Sequence, residues 1–373
     1  MVTSEAQQNR KIGLDLLRAY AILSVVYGHG WYLVKDIATL PMYFSIKFDN
    51  VTMFFVLTGF LISLNLLKTL DVQEINKNIV KNFWLKRLAR TYPLYFFILT
   101  SIGVIEYFSN NALPTKYFSY FLYAQNINFP HPGFYSELWS LAIQEWFYFL
   151  LPLVMYVISQ YNLKNKKNVL LCIVVGFIFC IAIYRILKVN SWSHFDIQYW
   201  DLNLRKQVVT RMDSLLYGFL MAYMLLYYSE FFKKNALVFF VFGICILGLN
   251  KFLFAENWFY LNYLHLSMAP IGAALLLPFF YGLNFDRKII NTIILQISSV
   301  SYAIYLVHMT PVMFGVLPHV IKFIIKIFPY FNEYIQMLSY IIYWLLTILF
   351  AAIAHYFIAK PASQFLLKKY LNK

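Results

Sequence analysis

Apolar residues fall along this chain in long runs separated by short polar or charged breaks. Ten such runs stand out, at residues 13–34, 50–67, 91–109, 137–159, 169–187, 208–228, 236–254, 260–283, 296–317 and 334–358. An α-helix of about 20 residues crosses a hydrocarbon core of about 30 Å. The pattern therefore predicts an all-α, polytopic membrane protein with about ten transmembrane helices. Between the last two runs, residues 318–333 set Lys322 and Lys326 among isoleucine and phenylalanine, the pattern of a short interfacial helix. No repeat, low-complexity linker or soluble block interrupts the series. The expectation is one membrane domain over 1–373, with short tails at about 1–12 and 359–373 and no appended soluble domain.

Composition agrees with the pattern: 61% of residues are hydrophobic and only 13% charged, which excludes an ordinary soluble globular protein. The first run is long enough to span, carries Asp15, Arg18 and His29, and has no small-x-small cleavage site, so it reads as a retained helix and not a signal peptide. The net charge of +15 sits in the short connections instead of forming a face or tail, which points to membrane topology and away from nucleic acid. With the N-terminus inside, about 20 of the 31 basic residues fall on the inner side. The positive-inside rule then puts both termini in the cytoplasm. The outer connections 110–136 and 188–207, the latter with Trp192, His194, Trp200 and Asp201, are rich in aromatics and suit a headgroup belt or a carbohydrate-contacting surface. Cys172, Cys180 and Cys245 lie within apolar runs without a CxxC pattern. They read as packing residues, and no metal site is expected.

The residues that could carry chemistry are polar groups inside apolar runs. Arg18 and His29 are eleven residues apart, close to three helical turns, so they share one face with His29 roughly 16 Å further along the axis. An ionisable group inside the bilayer faces protein or a cavity and suggests a site. The plain alternative is an end anchor and a core histidine. Gly28 and Gly30 leave His29 unshielded by its neighbours. Arg87 and Arg90 are helix neighbours that repel unless an anion lies between them, and guanidinium forks suit phosphates; an ordinary positive-inside anchor is the alternative. Gly59 and Ser63 form a small-xxx-small pair suited to close helix packing. Glu145 lies roughly 12 Å along the fourth run from Glu137, and His29 about 8 Å below the outer end of its own, so the two can share a depth. Asp213 is the nearest charge partner for Arg211, and Tyr302, Tyr305 and His308 come together around one helix.

Taken together, these residues resemble the membrane acyltransferase-3 family, bacterial multi-span enzymes that O-acylate cell-surface glycans. Arg18-x10-His29 is similar to the family's basic-x10-His motif. Gly59 to Ser63, Arg87-x-x-Arg90, Trp139-Ser-Leu with Phe147-Tyr148, Arg211-x-Asp213 and Ser301-Tyr302 to His308 follow in the family's order. Many relatives carry a glutamate where this chain has Gln144; here Glu145 alone remains. The resemblance implies a protein of the bacterial cytoplasmic membrane that moves an acyl group, acetyl by default, from cytoplasmic acyl-CoA to a hydroxyl of a surface glycan or lipid-linked saccharide. It implies His29 and Glu145 as catalytic residues and Arg18, Arg87, Arg90 and Ser63 around the donor. Trp139, Arg211, Asp213, Tyr302 and His308 would contact the acceptor or support the site. Acyl-CoA is then a co-substrate, no cofactor is tightly held, and membrane lipid and self-association complete the expected partners. A transporter, with His29, Glu145, Asp213 and His308 as a proton or substrate pathway, is the main alternative. A non-catalytic scaffold is a third, but leaves Arg18 and His29 without a reason to be aligned.

Overall fold

The computed structural model describes residues 10–36, 50–193 and 196–371, and every regular element among them is helical. The long helices are α1 (Ile12–Gly30), α2 (Asn50–Val72), α3 (Lys77–Asn110), α4 (Trp139–Gln160), α5 (Lys166–Asn190), α6 (Asp213–Tyr227), α7 (Ala236–Glu256), α8 (His265–Gly282), α9 (Lys288–Val307), α10 (Ile335–Ile353) and α11 (Lys360–Leu371). Each of the ten apolar runs coincides with helix, and among the described residues eight helices are long and apolar enough to cross a bilayer. The helices at 12–30 and 208–227 fall outside those eight; they carry Asp15 and Arg18, and Arg211 and Asp213. His194 and Lys373 lie outside the described residues.

Two boundaries differ from the sequence expectation. Helix α3 starts at Lys77, because the Asn76 side chain caps it by accepting from the Ile79 amide at 3.0 Å. Arg87 and Arg90 therefore stand within a continuous helix instead of opening one. The C-terminal tail is also helical: α11 packs along α3. Residues 318–333 form a helix at Leu317–Ile327, with Leu317 and Ile321 buried and Lys322 and Lys326 exposed, followed by a tight turn at Pro329–Tyr334.

Helices α2 and α6 make the most extensive packing in the bundle. A Cβ on Gly59 would come within 2.0 Å of the Leu215 carbonyl oxygen, and one on Gly218 within 2.1 Å of the Val56 carbonyl oxygen. Backbone touches backbone here, so no larger residue fits. Helices α5 and α7 lie at the periphery and turn Phe177, Phe179 and Phe242 outward. Cys172, Cys180 and Cys245 are exposed on these same helices, not packed inside as expected. On a helix whose outer face meets lipid, apolar character does not mark the inward side.

The aromatic connection 110–136 folds into the bundle instead of forming a surface belt. Tyr117, Tyr120, Tyr123 and Tyr135 are buried. The hydroxyls of Tyr95, Tyr117 and Tyr120 donate to carbonyls of Tyr120 (2.7 Å), Leu99 (3.1 Å) and Phe134, and the Trp146 indole donates to Tyr123 O at 3.0 Å. Those bonds offset the cost of burying the polar ends.

After α9 the α-pattern gives way at His308 to a wider, π-helical stretch over His308–Val316 that contains Pro311. In an unbroken helix the Thr310 amide would bond to Leu306 O. Here it donates to Glu137 Oε1 at 2.8 Å, the Thr310 hydroxyl donates to Glu137 Oε2 at 2.7 Å, and Leu306 O accepts from the Tyr135 hydroxyl. Two side chains preceding α4 thus take the groups that the break releases.

Candidate active site

A cavity of about 610 Å³ runs into the bundle between α1, α2, α3, α4, α9 and α11. Its wall includes Arg18, Arg87, Arg90 and Glu145, and also Arg10 and Lys360. Arg18 reaches Asp15 Oδ1 at 3.6 Å and donates to Ser298 Oγ at 3.4 Å. Arg10 grips both oxygens of the same aspartate at 2.6 Å each. Arg87 lies over the ring of Tyr148 at 4.7 Å. Five cations around one cavity, two of them held by Asp15, make a region that attracts anions.

Deeper in, the cavity is lined by Ser140, Tyr302 and Tyr305. The hydroxyls of Ser140 and Tyr305 are 2.6 Å apart, and the Tyr302 hydroxyl donates to Thr91 O at 3.0 Å. Behind Tyr305 stands His308, with ring centres 5.7 Å apart. His308 Nε2 lies 2.8 Å from His29 Nδ1, and the two rings are nearly parallel. His308 is fully buried, whereas His29 is part-exposed. Around His29, Gly28 has open space where a Cβ would be, while Gly30 packs against Tyr343, whose hydroxyl donates to Val26 O at 3.2 Å.

The sequence expectation put Glu145 at the depth of His29. The structure gives His29 the His308 imidazole as hydrogen-bond partner, and Glu145 stands at the cavity wall near Arg87 and Thr91. The carboxylate that supports the histidine pair is Glu137, through Thr310. Helical rise alone could not find this, because it says nothing of how α4 is rotated.

Other expected residues lie elsewhere. Ser63 is fully buried in α2, does not line the cavity, and its hydroxyl has no hydrogen-bond partner among the described residues. Asp213 pairs with Arg185 of α5 at 2.7 Å, where the sequence had suggested Arg211. Arg185 also donates to Thr210 O at 3.0 Å and Ser267 Oγ at 2.7 Å. Arg211 donates to Thr52 Oγ1 at 2.5 Å and faces the ring of Phe55 at 5.8 Å. This buried charge cluster ties α2, α5, α6 and α8 together away from the cavity. Trp139 meets Phe55 edge-on at 5.9 Å and lies under Arg205 at 5.0 Å. Arg205 and Lys206 both bond Asp201, at 2.5 and 2.6 Å.

Sequence reasoning passed over Ser140, although it stands inside the Trp139-Ser-Leu motif, and over Lys360, Ser363 and Gln364, which the helical tail brings to the cavity wall. Glu137 had a usable signal: a carboxylate at the start of an apolar run needs a donor.

The fold and the site define a multi-pass membrane protein with a basic cavity and, behind its Tyr305 wall, a hydrogen-bonded imidazole pair. Its membership is specific: the acyltransferase-3 family model, described as an acyltransferase domain, matches residues 11–359, and the chain belongs to that family. A protein of Staphylococcus aureus (strain COL) named as a putative O-acetyltransferase is 27% identical over 94% of this chain, and the chain spans 56% of that relative's length. A putative acetyltransferase of Acidianus two-tailed virus is 29% identical over 52% of the chain and 54% of its own. A putative peptidoglycan O-acetyltransferase of Bacillus subtilis (strain 168) is 31% identical over 44% of the chain and 26% of its own length. No solved structure matches.

Proposed function

We propose that this protein transfers an acetyl group from acetyl-CoA, bound at the basic end of the cavity, to a hydroxyl of a cell-surface glycan or its lipid-linked precursor, with His29 as general base. The observation that carries the reading is a chain of side-chain contacts from the cavity wall to His29, which does not itself line the cavity. The cavity gathers Arg18, Arg87 and Arg90 at one end, and its deep wall at Tyr305 leads through His308 to His29. CoA is an extended, phosphate-rich anion. Guanidinium groups suit its phosphates, and its long arm can carry a thioester inward.

In the reaction the acceptor hydroxyl gives its proton to His29 as its oxygen bonds to the thioester carbonyl carbon. The tetrahedral intermediate then collapses, the carbon–sulfur bond breaks, and the thiolate takes the proton back from the imidazolium to leave as CoA. A positioned imidazole contributes about 10²–10⁴-fold to such a step. The positive-inside count favours the basic end as cytoplasmic, with the acceptor arriving from the other side. A peptidoglycan acceptor is compatible with the name of the Bacillus relative.

Purified protein in lipid, given labelled acetyl-CoA and a glycan acceptor, is expected to release CoA and form acetylated glycan. His29→Ala is expected to abolish transfer while leaving a folded protein in the membrane. Retained transfer by His29→Ala would remove the base role, and transport of label without CoA release would favour a transporter.

A further inference from the structure

We infer that His308 is a positioning residue that fixes which nitrogen of His29 carries a proton. The inference deepens the reading of His29 as base and rests on it. His308 Nδ1 lies 2.8 Å from Tyr305 O and 3.2 Å from Ile304 O. Carbonyl oxygens only accept, so Nδ1 of His308 carries the hydrogen and donates to them. In the neutral ring this leaves Nε2 of His308 as an acceptor, and it faces His29 Nδ1 at 2.8 Å. His29 must therefore donate from Nδ1, and its Nε2 is left as the free lone pair. The opposite arrangement would set a lone pair of His308 against two carbonyl oxygens in a fully buried place.

The carbonyls that hold His308 are those at the α-to-π break. Glu137 keeps the break open by drawing the Thr310 amide and hydroxyl away from the helix, at 2.8 and 2.7 Å. The Tyr305 hydroxyl is itself tied to Glu137 O at 2.5 Å and Ser140 at 2.6 Å. The imidazole of His308 is thus oriented by backbone and by residues of the segment that opens α4. When His29 takes a proton at Nε2, its Nδ1–H becomes a charge-assisted donor to His308, and this bond stabilises the imidazolium without a carboxylate at its side. The arrangement does the orienting work of the acid in a serine-protease triad with a neutral imidazole.

The test reads the tautomer directly. In histidine-¹⁵N-labelled protein in lipid at neutral pH, with resonances assigned by loss in His29→Ala and His308→Gln, both imidazoles are expected as Nδ1–H forms. In His308→Ala, His29 is expected to lose that preference. Its kcat should fall about 10²-fold or more with the donor KM unchanged, and His308→Gln, which keeps an acceptor oxygen towards His29, should recover at least about tenfold of the loss. An Nε2–H form of His29 in the native protein, or a tautomer that does not respond to His308→Ala, overturns the inference even if His29 is essential. The expected tautomers together with full activity of His29→Ala would instead leave the pair standing and remove the base role.

Discussion

Glu137 supplies the most direct test of how the site is held. Its two oxygens accept from the Thr310 amide at 2.8 Å and the Thr310 hydroxyl at 2.7 Å, and the residue is buried. Replacing it by alanine removes both acceptors and leaves the part-buried Thr310 amide without its partner at a break where the helix does not supply one, Leu306 O being turned to the Tyr135 hydroxyl. An orphaned buried donor costs about 1–3 kcal/mol, so alanine should cost about 3–5 kcal/mol once the hydroxyl and the emptied volume are added. Glutamine is different. Its amide oxygen can still accept from the Thr310 amide, and the Thr310 hydroxyl can turn to accept from the glutamine NH₂, so the loss should be about 1 kcal/mol. Thermal unfolding of the protein in lipid nanodiscs, read beside kcat for acetyl transfer, separates the two. The expected order is native, Glu137→Gln and then a much weaker Glu137→Ala, with kcat of the alanine variant falling because the segment carrying His308 shifts. If Glu137→Ala unfolds and turns over like the native protein, the carboxylate does not hold the break and the account of His308 fails with it.

Three further outcomes follow from other parts of the molecule. Arg87→Ala combined with Arg90→Ala should weaken acetyl-CoA binding more at low than at high ionic strength, measured by titration calorimetry; equal affinity at every salt concentration would make the pair topology anchors. Arg185→Ala leaves Asp213, fully buried, without its 2.7 Å partner, and should cost about 3–5 kcal/mol in unfolding, while Arg185→Ala with Asp213→Ala should recover part of it. His131, in the connection before α4, is pushed down to about 4 by burial and then by the charge of Lys206. Its folded-state value lies below the unfolded one, so its contribution is full above the ordinary histidine value near 6.5 and is lost as pH falls from there towards 4. Limited proteolysis of that connection should accelerate over this window in the native protein, and the step should disappear in His131→Phe.

The one-dimensional pattern determined where the helices are. Every apolar run became a helix because a backbone in hydrocarbon must satisfy its own hydrogen bonds, and that requirement acts locally. The alignment of Arg18 with His29 and of Arg87 with Arg90 was legible for the same reason: helical spacing fixes neighbours along one face. What the sequence could not decide is which faces meet. In lipid an apolar residue is as acceptable outside as inside, so the outward cysteines, the inward tyrosines of 110–136 and the pairing of Asp213 with Arg185 carried no local signature. The rotation of α4 set Glu145 against the cavity near Arg87, while the segment before that helix put Glu137 on Thr310 and the break after α9 put His308 on His29. Hydrogen bonds between helices far apart in the chain depend on their rotation and depth together, and only the packed bundle fixes both.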